Sequence, residues 1–307
     1  MERSNATFVM EFILLGFSDL PDFQRLLFGI FLVIYMNILI GNGLLIIITK
    51  TNPTLQTPMY FFLGNFSFLE ICYTSVILPR MLIDLWTQKG NIPFLSCAIQ
   101  NCSFNILGVA ECLLLAVMAY DRYAAICKPL YYPIIMNHKM CVQLVIASWI
   151  TGIPGLIGLT YQIFSLNFCD SNKLDHIFCD SPPLLEVACG DTYQKELFVH
   201  VAALFFVMTP FLLILISYIK IITTILKLPS TSGKSKAFST CSSHLMVVGL
   251  FYGSGSIVYL RPKSSHSAKS DKVFSILYTT VTPVLNPMIY SLRNKDVIAA
   301  LKKILPK

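Results

Sequence analysis

The run Met118-Ala119-Tyr120-Asp121-Arg122-Tyr123-Ala124-Ala125-Ile126-Cys127 decides how the chain is organised. It closes an apolar stretch that begins at Ala98 and whose only charged residue is Glu111. A charge at the centre of a bilayer costs roughly 2.5–3.5 kcal/mol, and less near the interface, so an acid–base pair at a membrane edge is expected to have a use. The alternative is an interfacial anchor, in which Arg122 extends to the lipid headgroups. Six further apolar stretches arranged around this one favour the functional interpretation.

The composition is that of a membrane protein. Of the 307 residues, 55% are hydrophobic and only 13% are charged, whereas about a quarter of a soluble protein is charged. The mean hydropathy is +0.67. The net charge of +7 is not gathered into a basic, aromatic-rich patch. We therefore interpret the positive charge as a signal of membrane topology and expect no nucleic-acid partner.

Seven apolar stretches predict an all-α membrane protein with a bundle of seven transmembrane helices. The first stretch is uncharged over 26–49, which at 1.5 Å per residue gives about 36 Å, enough to cross a hydrocarbon core of about 30 Å. The predicted spans are residues 26–50, 58–79, 97–123, 140–162, 197–224, 236–260 and 273–292. Residues 1–25 precede the first span, and residues 84–94 are expected to be a loop.

Residues 293–307 are expected to form a short amphipathic helix on the membrane surface, followed by a tail. The apolar side chains of this stretch fall on one helical face and the basic side chains on the other. The apolar set is Val297, Ile298, Leu301 and Ile304, and the basic set is Lys295, Lys302 and Lys303.

The distribution of basic residues predicts the orientation in the plasma membrane. Seven spans place the termini on opposite sides, and the side that includes Arg122 and Lys128 is rich in Lys and Arg and poor in acids. Such a side faces the cytoplasm, so residues 1–25 are predicted to be extracellular and 293–307 cytoplasmic. The glycosylation sequon Asn5-Ala6-Thr7 agrees with an outer N-terminus.

Four cysteines fall on the outer side, where disulfides persist. They are Cys97, Cys169, Cys179 and Cys189. Four cysteines allow three pairings, and the spacing alone does not choose between them. A zinc site in the same acidic loop is the alternative, but the loop lacks a CxxC pair and offers only His176 as an obvious further ligand.

Two carboxylates lie near the middle of their spans. Glu70 and Glu111, with Asn42 and Asn286 at similar depth, make a candidate oxygen-lined site for a sodium ion. The alternative is that one of the two glutamates is protonated and simply donates a hydrogen bond, because a pair of carboxyl groups in a low dielectric raises at least one pKa.

The inner end of the seventh span carries Asn286-Pro287-Met288-Ile289-Tyr290, which predicts a kink. Tyr290 and Tyr218, on the fifth span, are expected to reach toward Arg122. The alternative for either tyrosine alone is packing in the aromatic belt at the interface.

Six motifs occur in a fixed order and together cover almost the whole chain. They are Gly41-Asn42; Pro58-Met59-Tyr60-Phe61-Phe62-Leu63; Met118 to Cys127, with Ala124 where Val is usual; Ser217-Tyr218; Lys236 to His244; and Pro287 to Asn294. In this combination they resemble the rhodopsin-like (class A) G-protein-coupled receptors and, more narrowly, the vertebrate odorant (olfactory) receptors of the tetrapod-type class.

The resemblance implies a receptor that binds small volatile odorants and activates a stimulatory heterotrimeric G protein, with cyclic AMP as output. It implies the disulfides Cys97–Cys179 and Cys169–Cys189, and it places Glu70 where most class A receptors carry Asp. The residues implied in activation and G-protein coupling are Asp121, Arg122, Tyr123, Tyr218, Asn286, Pro287 and Tyr290.

The odorant pocket implied by the resemblance lies in the outer half, between spans three, five, six and seven. Its wall is apolar and aromatic with a few hydrogen-bonding groups, as a small volatile ligand needs. At Phe104, where aminergic receptors carry Asp, an amine would find no counter-charge. The predicted ligand residues are Phe104, Asn105, Gly108, Val109, Ala202, Phe206, Tyr252, Gly255, Ser256, Tyr259, Ile276 and Thr279.

Other classes of membrane protein fit less well. A retinal-binding pump needs a lysine midway along the seventh span, and a transporter should show repeated halves with broken helices. His200 and His244 stand singly at opposite ends of the bundle, so no catalytic constellation is predicted and the chain is not expected to be an enzyme. Apart from sodium no cofactor is expected, and membrane lipids are the remaining partners. The main rival is a class A receptor for a non-odorant small metabolite in non-olfactory tissue.

Overall fold

The computed structural model describes residues 9–168, 172–190, 192–227, 231–259, 268–292 and 295–304. This part of the chain is helical apart from a small sheet, so the predicted all-α class is confirmed. The helices are α1 Gln24–Thr51, α2 Pro58–Thr87, α3 Phe94–Cys127, α4 Tyr132–Ile135, α5 His138–Ile150, α6 Ile153–Phe164, α7 Ser181–Glu186, α8 Tyr193–Ala203, α9 Thr209–Leu226, α10 Thr231–Tyr259, α11 Ala268–Ile276, α12 Thr282–Leu292 and α13 Lys295–Ile304.

Within the described ranges, six helical stretches are long and apolar enough to cross a membrane. They are Pro21–Thr51, Pro58–Thr87, Phe94–Cys127, His138–Phe164, Tyr193–Leu226 and Lys272–Tyr290. The predicted span 236–260 corresponds to α10, a helix of 29 residues that is richer in Ser and Gly than the others. The amphipathic stretch after the last span is helical as predicted and forms α13.

The second span is longer than predicted. The sequence suggested an end at Pro79 and a loop over 84–94, but α2 continues through Pro79 to Thr87. The turn after the proline is stabilised by an ion pair between Arg80 and Asp84, at 2.8 Å and spaced i,i+4. Buried side chains at Met81 and Leu85 continue the apolar face of the helix, so the loss of one backbone donor at the proline does not end it.

Three of the spans depart from a regular α-helix. The fourth is divided into α5 and α6, with Pro154 in the first turn of α6. The fifth and seventh each contain a π-helical turn, at Leu204–Met208 and Leu277–Val281. In the seventh span the carbonyl of Leu277 accepts from the backbone N–H of Thr282 and also, at 3.1 Å, from its hydroxyl.

A small three-stranded sheet at the outer end was not predicted. Strand β1 (Glu11–Leu14) pairs with β2 (Asn91–Pro93) in antiparallel and with β3 (Lys173–Leu174) in parallel orientation. The sheet therefore joins the N-terminal segment, the connection before α3 and the long outer loop. Gly90 permits this approach, because a Cβ there would lie 1.9 Å from the carbonyl oxygen of Leu14.

Buried apolar side chains form two clusters. The larger one runs along the bundle axis and includes Phe66, Tyr73 and Phe104. The smaller one lies at the outer end between α3, α6 and the sheet, and includes Phe12 and Ile163. Six of the predicted ligand residues are divided between these two clusters: Phe104, Tyr252 and Ile276 belong to the larger one, and Val109, Ala202 and Phe206 to the smaller one.

Candidate ligand pocket and coupling site

The long outer loop covers the bundle and is held there covalently. Cys97, at the outer end of α3, is bonded to Cys179, with 5.5 Å between the two Cα atoms, so this predicted disulfide is confirmed. Cys189 is also disulfide-bonded. Its predicted partner Cys169 lies outside the described residues, so the second pairing stays a prediction.

The disulfide positions Phe178 over the predicted pocket. This ring is fully buried, and its centroid lies 4.7 Å from that of Phe104 on α3. Phe104 also contacts Tyr73, at 5.2 Å, and Tyr278, at 6.1 Å. The loop thus contributes one face of an aromatic enclosure whose other faces come from α2, α3 and the π-helical turn of the seventh span.

His176 connects the loop to the seventh span. Its Nδ1–H donates to the carbonyl of Phe178 at 3.0 Å, and its Nε2 accepts from the hydroxyl of Ser275 at 2.9 Å. Since both ring nitrogens are engaged, and no group of three or more His, Cys, Asp or Glu side chains occurs among the described residues, the zinc alternative receives no support. Lys272 adds an ion pair with Asp175 of the loop and a longer one, 3.9 Å, with Asp19.

Several predicted ligand residues converge on the larger cluster. Tyr252 of α10 is buried and its ring lies 4.8 Å from that of Phe211. Ile276 packs against the same cluster, and Gly108 faces the ring of Tyr73. Thr279 is buried and donates to the carbonyl of Ser275 at 2.6 Å.

Other predicted ligand residues face the fourth span instead. Val109 is buried in the smaller cluster, and Ala202 and Phe206 pack against it. A Cβ on Gly152 would lie 3.0 Å from Val109, and one on Gly155 would lie 3.4 Å from the ring of Phe206. The structure therefore does not bring these three residues together with Phe104.

The remaining predicted ligand residues are Asn105, Gly255, Ser256 and Tyr259. Asn105 is half-buried and donates to the carbonyl of Asn101, one turn earlier, at 2.9 Å. Gly255 is half-buried in α10, while the side chains of Ser256 and Tyr259 lie outside the described part of that helix. The three cavities that can be described lie elsewhere, and none of them is lined by a predicted ligand residue.

At the middle of the bundle the two predicted carboxylates are buried. Asn286 donates a hydrogen bond to Oε1 of Glu70. Within the described part of the chain, Oε2 of Glu70 and Oδ1 of Asn286 are buried without a hydrogen-bond partner. Glu111 is buried as well, whereas Asn42 donates to the carbonyl of Ile38 in its own helix, at 3.1 Å.

At the inner end Asp121 and Arg122 are both buried, but no ion pair joins them among the described residues. Asp121 instead accepts a hydrogen bond from the hydroxyl of Tyr132 in the short helix α4, at 2.8 Å. Burial and the neighbouring carboxylate raise the pKa of Tyr132 far above its ordinary value, so this hydroxyl keeps the proton that it donates. Sequence reasoning missed Tyr132, since nothing distinguishes it from the adjacent Tyr131.

Two further predicted coupling residues, Tyr218 and Tyr290, are both buried, and their approach to Arg122 stays a prediction. Tyr218 is hydrogen-bonded to Nδ1 of His244 at 2.8 Å, which connects α9 with α10. The hydroxyl of Tyr290 is buried without a partner within the described ranges, so it is available to one that arrives after a rearrangement. Tyr123 lies at the rim, with the Lys128 ammonium 6.0 Å from its ring centroid.

These features define a class of fold: a multi-pass helical bundle with a covalently held cover at one end and a buried arginine at the other is the architecture of the rhodopsin-like receptors. The crystal structure of squid rhodopsin has the same fold, with a TM-score of 0.72, 19% identity, and coverage of 89% of this chain and 78% of that chain.

The family is shown by sequence. The profile of the family described as "Olfactory receptor" matches residues 31–307. Human olfactory receptor 10AG1 is 59% identical over 298 residues, which are 97% of this chain and 99% of that receptor. Human olfactory receptor 10A5 is 53% identical and covers 100% and 97%, and mouse olfactory receptor 5AP2 is 48% identical and covers 99% and 96%.

The chain belongs to the olfactory receptor family, and the resemblance found in its motifs is confirmed. It is a multi-pass membrane receptor that senses odorants and couples to a G protein, and the family is not enzymatic.

Proposed function

We propose that this receptor binds a small volatile odorant in the outer half of the bundle and thereby activates a stimulatory heterotrimeric G protein of the olfactory type, which raises cyclic AMP. The observation that carries the proposal is the contact between Phe178 and Phe104, 4.7 Å between ring centroids, beneath a loop held by Cys97–Cys179. An aromatic, dry surface closed from above suits an apolar ligand of few atoms.

The ligand is expected to act by a shift of population. A molecule that packs better against Phe104 in one arrangement of the outer half favours that arrangement, and only by its difference in affinity between the two states. Since α10 carries both Tyr252, in the larger cluster, and His244, which is hydrogen-bonded to Tyr218, a change in the packing of this helix alters the inner end.

An exposed apolar surface beside Asp121 favours a protein partner at the inner end. Leu130 is 88% exposed, Tyr131 63% and Ile134 70%. All three flank Tyr132, which is hydrogen-bonded to Asp121. A patch of this kind on the polar side of a membrane protein is typical of a docking site, and we assign it to the G protein.

The proposed setting is the plasma membrane, with the N-terminus outside, the C-terminus inside and surrounding lipids as further partners. The bias of basic residues toward the inner end supports this orientation. A glycan at Asn5 belongs to the same proposal, although Asn5 lies outside the described residues.

A sodium ion between Glu70 and Glu111 is also proposed. Oε2 of Glu70 and Oδ1 of Asn286, which are buried without a hydrogen-bond partner in the described part of the chain, fit a hard cation, which prefers carboxylate and carbonyl ligands. Glu70, Glu111 and Asn286 would hold the ion, which would supply a positive charge in the centre of the bundle.

The test is a cyclic AMP screen of cells that express the full chain, against a chemically broad panel of volatiles. For any active odorant, Phe104→Leu should raise the half-maximal concentration about tenfold, because an aromatic contact is lost. Phe205→Leu is the matched control, since Phe205 is exposed on the fifth span. Arg122→Ala should abolish the response without loss of surface receptor.

Wild-type responses in Arg122→Ala, or equal shifts in the two phenylalanine variants, would contradict the proposal. A silent volatile panel together with a response to a non-volatile metabolite would favour the rival ligand class.

A further inference from the structure

The largest of the three described cavities is unrelated to the odorant site. A cleft of about 810 Å³ opens between α1, α2 and α5 at the inner end of the bundle. Phe61 and Phe68 of α2 line it and are partly exposed on the outer surface of the bundle, where the bilayer lies. A cleft that opens to the bilayer at this level is accessible to the lipids of one leaflet.

The walls and the rim of the cleft differ in chemistry. Ile46, Phe61 and Phe68 make the wall apolar toward the middle of the membrane. The rim at the inner end carries Lys50 and His138. Among the described residues no Asp or Glu lines the cleft, and the nearby carboxylate of Asp296 accepts a hydrogen bond from the lining residue Tyr60 at 3.3 Å. An amphiphile with an apolar chain and a negatively charged head matches this arrangement.

Two features make the rim favourable for an anion. Lys50 is exposed at the last turn of α1, and no ion pair engages it within the described ranges. The N-terminus of α2 opens at the same rim, where Thr57 lies in the N-cap position without a side-chain capping hydrogen bond. The positive end of a helix dipole adds to the charge of a nearby lysine.

We propose that this cleft binds one anionic phospholipid of the cytoplasmic leaflet, with the phosphate head at Lys50 and His138 and an acyl chain along Phe61 and Phe68. Basic pockets between transmembrane helices on the cytoplasmic side are suited to such headgroups. Met136, which follows α4, also lines the cleft, so a bound lipid connects the loop that carries the G-protein patch to α1 and α2. The lipid site depends on the membrane orientation proposed above, but it does not depend on which odorant the receptor binds.

The chain offers its own reporter for this site. Trp149 packs against Phe68, with 5.9 Å between ring centroids. The only other tryptophan, Trp86, lies at the outer end of α2 and is 68% exposed. The variant Trp86→Phe therefore leaves one indole, next to the cleft, and bromine atoms on a lipid chain quench its fluorescence on contact.

The experiment uses the full-length Trp86→Phe receptor in phosphatidylcholine nanodiscs that contain a minority of brominated phosphatidylserine or, in parallel, brominated phosphatidylcholine. We expect brominated phosphatidylserine to quench Trp149 about fivefold more effectively than brominated phosphatidylcholine, because one well-placed basic residue gives a preference of this size. Lys50→Gln should bring this selectivity close to one. Lys220→Gln removes an equivalent exposed charge on α9 and should leave it unchanged.

Four outcomes would overturn the proposal. The first is equal quenching by the two brominated lipids in the wild-type background. The second is a selectivity that survives Lys50→Gln, and the third is one that Lys220→Gln reduces to the same extent. Quenching by a brominated sterol that exceeds the quenching by phosphatidylserine would assign the cleft to a sterol instead.

Discussion

The two ends of the bundle are held by different kinds of interaction. At the outer end the disulfide Cys97–Cys179, a three-stranded sheet and the ion pair of Lys272 with Asp175 fix the loop to the helices. At the inner end single hydrogen bonds join the elements, from Tyr132 to Asp121 and between Tyr218 and His244. The outer end is therefore expected to resist rearrangement, while the inner end can exchange partners at a cost of a few kcal/mol.

This difference suits a receptor that must keep its ligand enclosure while its inner surface switches. The hydroxyl of Tyr290 is buried without a hydrogen-bond partner among the described residues. Such a group destabilises the state in which it is unpaired and favours any state that gives it a partner. The following predictions test whether the outer end governs stability and the inner end governs signalling.

The largest effect is expected from the outer disulfide. Cys97→Ser and Cys179→Ser should each destabilise the receptor by about 2–5 kcal/mol, and the double variant should be no worse, because one bond is lost in all three. Surface receptor measured by flow cytometry is the readout. Cys102→Ser is the control, since Cys102 is a free thiol on the same helix. Additive losses in the double variant would indicate a different pairing.

The outer sheet provides the next test. Gly90→Ala places a Cβ 1.9 Å from the carbonyl oxygen of Leu14, so β1 must move, and we expect a loss of about 3 kcal/mol. The apparent melting temperature of the purified receptor should fall. At Gly43 a Cβ would meet nothing within 4 Å, and Gly43→Ala is the control. Equal melting temperatures would mean that the sheet contributes little to stability.

At the inner end the hydrogen bond of Tyr132 is expected to affect signalling rather than folding. Tyr132→Phe removes a bond to a charged acceptor, worth about 1.5–3 kcal/mol, and loosens α4 with its exposed apolar patch. The maximal odorant-evoked cyclic AMP, normalised to surface receptor, should fall about tenfold. Tyr161→Phe removes an exposed hydroxyl on α6, outside the patch, and should have no effect. A loss of surface receptor without a change in the normalised response would mean that this hydrogen bond supports folding rather than signalling.

The smallest effect is expected at Tyr218. Tyr218→Phe removes the hydrogen bond to His244 that joins α9 and α10, a neutral bond worth about 1 kcal/mol. Basal cyclic AMP without odorant should rise about three- to fivefold as the inner end opens more often. Ser217→Ala, which removes only a bond within its own helix, should leave basal activity as it is. Unchanged basal activity in Tyr218→Phe would place this bond outside the switch.

Much of the bundle could be predicted from the sequence because each span is a local signal. The first span was predicted over 26–50 and α1 covers Gln24–Thr51, since an uninterrupted apolar run is sufficient to identify a membrane helix. The motif around Arg122 marked where the third span ends, and α3 ends at Cys127. Pro79 misled the prediction of the second span, because the sequence does not reveal that Arg80 and Asp84 stabilise the next turn.

What could not be predicted depends on pairs of distant segments. Strand β1 is four residues long, and its partners begin at Asn91 and Lys173, so no local pattern identifies it. Tyr132 and His244 acquire their roles only from the partners that the fold places opposite them. Phe178 could have been suspected from its position next to Cys179, because a disulfide fixes its neighbours as well as its own sulfur atoms.

The π-helical turn at Leu204–Met208 has a consequence for how the fifth span can change. One additional residue in a turn rotates everything before it by about 100° relative to everything after it. The helical wheels of α8 and α9 are therefore out of phase, and Phe206 faces Gly155 rather than the bundle axis. Gain or loss of a single residue in this turn would present a new set of side chains to the odorant while Tyr218 keeps its register. Such a change would alter which ligands the receptor prefers without altering the packing of the inner end around Tyr218.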